Sequence, residues 1–161
     1  MRIDDFRKLI VWQLADELRH EILAFTDTGP ASRDFKYRDQ IRDAIASACR
    51  NTSEGFDRFR PAEFARFLEF ARGSLGEVQD CLIDGRDRKY MDGERFDKMW
   101  LLSKRAVGAN TSLQMYLKDC AASGREPWRH PKPKPENGEP ETGTPNPQPG
   151  TKNPEPGTEN S

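Results

Sequence analysis

Histidine occurs twice and cysteine three times in 161 residues, and neither is clustered. His20 lies on a polar helical side and His130 at the start of a proline-rich extension. That leaves no imidazole beside a nucleophile, as Ser-His-Asp or Cys-His catalysis requires. Glu17-Leu18-Arg19-His20 has the Glu-x-x-His step of di-iron bundles, but those sites use two such steps plus two further carboxylates. Cys49, Cys81 and Cys120 are far apart, odd in number and without a CxxC pair, so they read as buried reduced thiols and not as zinc ligands or a disulfide framework. Neither GxGxxG nor GxxxxGK[ST] occurs. The expectation is a protein that is not an enzyme and takes no metal or cofactor.

Long apolar runs are also missing. No stretch approaches the roughly 18 apolar residues of a membrane span. Nothing after Met1-Arg2-Ile3-Asp4-Asp5 resembles a signal peptide. A cytoplasmic location without membrane contact is expected. A one-sided charge is absent too. Net charge is −1, and the part before residue 131 comes to about +1, because the extension holds more glutamates than lysines. Nucleic-acid binders usually carry a clear basic excess, whereas here Arg38-Asp39-Gln40-Ile41-Arg42-Asp43 alternates signs.

What is present is the 3.6-residue period, four times over. After a cap at Asp4 or Asp5, Val11, Leu14, Ala15, Leu18, Ile22 and Phe25 share one face until Thr28-Gly29-Pro30. A second helix, capped by Ser32 or Asp34, carries Ile41, Ala44, Ile45, Ala48 and Thr52 and ends near Gly55. Pro61 suits the first turn of a third, with Phe64, Phe67, Leu68, Ala71, Leu75, Val78 and Leu82, broken at Asp84-Gly85-Arg86-Asp87-Arg88. Asp92 caps a fourth, which carries Phe96, Met99, Trp100, Ser103, Val107, Asn110 and Leu117 and stops before Gly124. Strand signals are lacking. Short connections make neighbours antiparallel. The predicted fold is all-α: an antiparallel up-down four-helix bundle over 1–125 with a disordered Pro/Gly/Glu-rich tail over 126–161. From residue 131 that tail has no apolar side chain with which to offset chain entropy.

A second apolar seam follows the fourth helix: Leu102, Ala106, Ala109, Leu113, Tyr116 and Cys120 at 4-3-4-3-4 spacing. Phe70 on the third helix and Trp12 on the first also lie off the main stripes. Two explanations stand: a wide interior face, or a subunit interface. For the second, the candidates are Trp12, Phe70, Leu102, Ala109, Leu113 and Tyr116. On the second helix Gln40, Ser47, Asn51 and Glu54 form a polar flank expected to bond to neighbouring protein.

Phe6-Arg7-Lys8-Leu9-Ile10-Val11-Trp12-Gln13-Leu14-Ala15 resembles the opening of the small four-helix-bundle proteins of bacterial rRNA intervening sequences. The resemblance continues through Gln40-Ile41-Arg42-Asp43-Ala44, Ser47, Asn51 and Glu54-Gly55-Phe56-Asp57-Arg58, then Phe64, Phe67-Leu68, Ala71, Gly73-Ser74-Leu75 and Glu77. It spans roughly 5–120, with departures at Ala48, Thr52 and Ser53. It implies the bundle and a ring-shaped homopentamer. The accessory variability protein of diversity-generating retroelements is related; it binds a reverse transcriptase and nucleic acid through a basic surface not evident here. Two functions are therefore weighed. One is a non-catalytic oligomeric scaffold or adaptor for a protein or ribonucleoprotein partner. The other is a direct, weakly specific RNA- or DNA-binding protein, with Arg38, Arg42, Arg50, Arg58 and Arg66 as candidate phosphate contacts.

Overall fold

The computed structural model describes residues 3–58 and 60–127. Four helices account for most of them: α1 (Ile10–Thr26), α2 (Phe35–Phe56), α3 (Pro61–Asp87) and α4 (Gly93–Ser123). The expected tail lies outside the described residues, apart from Glu126 and Pro127.

The helix ends follow from local chemistry. Of the two candidate caps for α2, Asp34 is the one used, accepting from Tyr37 N at 3.1 Å. Asp92 accepts from Arg95 N at 2.8 Å and starts α4. Gly124, at φ 66°, closes α4 in the left-handed region that glycine enters without a Cβ penalty. Pro61 occupies the first turn of α3. The start of α1 differs from expectation. Asp5 caps a separate 3-10 turn over Phe6–Lys8, and α1 begins only after the extended Leu9. That short turn tucks Leu9 into the interior.

Contacts along neighbouring helices run in opposite order. Tyr37 Oη donates to Cys81 O at 2.9 Å, Ser47 Oγ lies 2.9 Å from Ser74 Oγ, and the rings of Phe56 and Phe64 meet at 6.3 Å. Thus α2 and α3 are antiparallel. Gln79 bonds Ser103 at 3.1 Å while Gln114 bonds Ala65 O at 3.1 Å, which reverses α4 on α3. Lys98 meets Glu21 at 2.8 Å and Arg95 stands over Phe25, which sets α4 against α1 in the same sense. Gly55 lets α2 and α3 close up at their junction, since a Cβ there would lie 2.5 Å from the Phe64 ring.

Two apolar clusters fill the bundle. The larger holds Leu18, Ile22, Ile41, Ile45, Leu75 and Met99. The smaller joins Leu9, Val11, Phe56, Phe64, Leu68 and Leu117. Truncating any of these leucines to alanine costs about 2–5 kcal/mol through lost transfer energy and the cavity left behind. All three cysteines are free and buried. Among the described residues no helix is long and apolar enough to cross a membrane.

Candidate interaction surface

The polar flank of α2 lies along the seam with α3. Gln40 Nε2 donates to Glu77 Oε1 at 3.4 Å. Ser47 pairs with Ser74, and Ser74 Oγ donates in turn to Phe70 O at 3.2 Å. Asn51 Nδ2 turns back onto Ser47, reaching its carbonyl at 2.9 Å and its hydroxyl at 3.2 Å. Gln40 and Ser47 thus reach α3 directly, Asn51 bonds within its own helix, and Glu54 stands exposed at the end of the row. Arg50 and Gln40 border one shallow groove with Asp43 and Glu77.

Farther along this seam the chemistry changes from amide and hydroxyl to ring and guanidinium. The Arg58 guanidinium sits 5.0 Å over the Phe67 ring. Phe67 meets Phe70 edge-on at 6.1 Å. Arg66 stands 5.7 Å over Phe70, whose side chain is 49% exposed. Two cations therefore bracket two phenyl rings. Arg58 and Arg66 form no ion pair with any described residue. Arginine over an aromatic face is favoured by the ring quadrupole and keeps its N–H fork free for an anion.

The remaining candidate arginines behave otherwise. Arg42 donates to Thr26 Oγ1 at 2.7 Å and Asp27 at 2.6 Å, and reaches Leu23 O at 3.5 Å. It is a cation at the C-terminal end of α1, where the helix dipole favours one, and it leaves the set of phosphate contacts. Arg38 lies over Phe35 at 4.8 Å but is held by Asp39 at 2.8 Å. Arg50 is exposed.

The apolar interface candidates divide. Leu102 is buried in the larger cluster and belongs to the interior of one chain; it is not available to a second subunit. Ala109 and Leu113 are half-buried and pack on the core. Trp12 is also half-buried, edge-on to Phe6 at 5.2 Å. A wide interior face thus accounts for most of the second seam of α4, because α4 lies between α1 and α3. Phe70 and Tyr116 stay exposed; the Tyr116 hydroxyl donates to Pro127 O at 2.8 Å. Spacing missed Leu101 and Met115, which are 59% and 66% exposed. They are two heptads apart with Gly108 midway, so they share one line on the outer side of α4 to within about 40°. Polar and small residues fill the other positions of that line, which is why no stripe was legible there.

Glu17 and His20 sit on the outer side of α1, with His20 Nδ1 2.8 Å from Asp16 O. No group of three or more metal-type ligands comes together among the described residues. Burial pushes the Cys49 and Cys81 thiols up to about 11, away from the thiolate that a nucleophile needs.

Among known families, the model described as 23S rRNA-intervening sequence protein matches residues 7–107, from the 3-10 turn into the middle of α4. No curated protein matches the chain.

Proposed function

The chain belongs to the 23S rRNA-intervening sequence protein family, and from that premise we propose that it is a non-catalytic helical-bundle scaffold that self-associates into a ring, as a homopentamer. In this reading it works in the cytoplasm as an adaptor for a protein or ribonucleoprotein, with a reverse transcriptase as one class of partner. The observation that supports self-association is the outer line of α4. Leu101 and Met115 stand exposed there, with Tyr116 beside them. Gly108 between them has nothing within 4 Å of its would-be Cβ. A glycine in an exposed helix interior costs about 1 kcal/mol relative to alanine, and a close-packed second backbone would offset that. Exposed apolar positions ranged along one helix are the pattern of a protein-protein contact. Light scattering at micromolar concentration tests the reading. The expected mass is about five times that of one chain, and a monomer mass sinks it.

A second reading, direct binding of RNA or DNA, draws on a different observation. Arg58 and Arg66 hold their guanidinium groups on rings with no carboxylate partner, unlike Arg38 and Arg42. The same protein can do both.

A further inference from the structure

We propose that the Arg58–Phe67–Phe70–Arg66 run, on the α2–α3 face, is a binding site for single-stranded nucleic acid, in which bases stack on the two phenyl rings and the arginines hold the flanking phosphates. The proposal rests on the second reading above and gives it a place and a ligand.

Arginine pairing across the molecule is uneven. Arg50, Arg58, Arg60, Arg66 and Arg72 all lack a carboxylate within 4.0 Å among the described residues. Outside that span most arginines are neutralised in place: Arg7, Arg19, Arg38, Arg42, Arg86, Arg88 and Arg125 each meet an aspartate. Arg58, Arg60 and Arg66 thus place three unpaired guanidinium groups within the α2–α3 connection and the first turns of α3, whereas Arg72 lines the groove between α3 and α4 with Gln114 and Lys118, and Arg33, Arg95 and Arg105 are unpaired elsewhere among the described residues. A phosphate can pair with the free N–H forks of Arg58, Arg60 and Arg66 even though nearby acids keep the net charge of the stretch small.

The ring pair decides which polyanion. Arginine also lies over aromatic rings at Phe35, Phe96, Tyr90 and Tyr116, where each arginine is committed to an aspartate, and at Phe25, where Arg95 has no carboxylate partner among the described residues but the ring is buried. Among the described residues, only at Phe67 and Phe70 does a pair of touching rings outside the buried core, set edge-on to each other, coincide with cations that have no carboxylate partner. Single-strand binders combine these two elements: aromatic faces for unpaired bases and cations that track the backbone. Duplex bases are already stacked and offer no face to an exposed phenyl ring. Glu54, Asp57 and Glu63 lie close in sequence, and Glu69 is held by Lys118 at 2.8 Å. These acids keep the attraction modest, so binding is salt-sensitive and depends on stacking for its strength.

The experiment measures anisotropy of fluorescein-labelled uridine and thymidine oligomers on the full chain, at low and raised salt. Both strands should bind saturably; a tighter uridine strand assigns the 2′-hydroxyl a role, and equal affinity assigns the site to phosphate and base alone. Phe70→Ala should weaken binding about tenfold, the worth of roughly one stacked base. It should leave the helical circular dichroism and the light-scattering mass unchanged. Arg58→Gln with Arg66→Gln should lower the salt slope by roughly 0.7 per arginine removed. Phe35→Ala, on an exposed ring whose arginine is committed, should change neither. Absence of saturable binding overturns the proposal. So does an abasic strand or polyglutamate that binds as well as the oligomers, since either outcome means an anion surface without base stacking. A Phe70→Ala variant that alters the mass and leaves affinity intact gives this face to a second subunit. That result overturns the nucleic-acid site while leaving the scaffold reading in place.

Discussion

The bare Cα of Gly85 lies directly against the Tyr37 hydroxyl: a Cβ at that position would stand 2.2 Å from Oη and 2.9 Å from Cζ. Tyr37 Oη donates to Cys81 O at 2.9 Å, and its ring meets Tyr90 edge-on at 5.2 Å. The Tyr90 hydroxyl reaches Asp34, the residue that caps α2. One glycine thus permits the corner at which α2, the end of α3 and the turn into α4 are locked together. Gly85→Ala should destabilise the protein by about 1–3 kcal/mol, as overpacking does. Tyr37→Phe alone should cost about 1 kcal/mol for the lost hydrogen bond. In urea titrations the double variant should cost less than the sum, because removing Oη relieves the nearest clash. Strict additivity would mean that the two residues do not meet.

Helix caps, glycines and the main stripes were legible because each depends on residues a few positions apart. Asp34, Pro61, Asp92 and Gly124 sit where local backbone chemistry needs them. The outward and inward sides of a wide helix were not legible. Leu101 and Leu102 are adjacent leucines, one exposed and the other buried, and only the position of α4 between α1 and α3 decides which is which. The role of Arg42 was hidden for the same reason, since its partners Thr26 and Asp27 lie at the C-terminal end of another helix. The two-ring platform combines Arg58 with rings on α3, a match that helical periodicity does not encode.

Asn110 is fully buried, and neither its Nδ2 nor its Oδ1 has a hydrogen-bond partner among the described residues. Its neighbours on the same side of α4, Ser103 and Gln114, both bond to α3. An unpaired buried amide costs about 1–3 kcal/mol, and leucine has the same branched side-chain framework without polar atoms. Asn110→Leu should therefore raise the free energy of unfolding by about 1–2 kcal/mol, read from the urea midpoint at unchanged m-value. A loss of stability would show that the amide is solvated or paired in solution.

Alkaline pH should weaken the fold. Burial raises Cys49 and Cys81 from 9.0 to about 11, and burial likewise pushes Tyr37 above its ordinary value. In the unfolded chain the thiols lose their protons near pH 9, while in the folded chain they keep them until near pH 11. The unfolded state then binds fewer protons, so stability falls as pH rises through that window. It is fully present below pH 9. Thermal melts under reducing conditions should show Tm dropping between pH 9 and 11. Cys49→Ala with Cys81→Ala should flatten that slope even where it lowers Tm at neutral pH. An unchanged slope would mean that the thiols are solvated in the folded protein.

Adjacent substitutions on α4 separate folding from association. Leu102 is 5% exposed and packs in the larger cluster, so Leu102→Glu places a carboxylate in an apolar interior at a cost of several kcal/mol. That variant should unfold, with loss of helical circular dichroism. Leu101 is 59% exposed, and Leu101→Glu should leave the fold within about 0.5 kcal/mol of the original, as surface changes do. If copies of the chain meet along the outer line of α4, the Leu101→Glu, Met115→Glu double variant loses that contact. It buries two carboxylates against a neighbour or keeps the copies apart, and light scattering should read a folded protein of monomer mass. A variant that folds and keeps the wild-type mass would remove the α4 line from the interface.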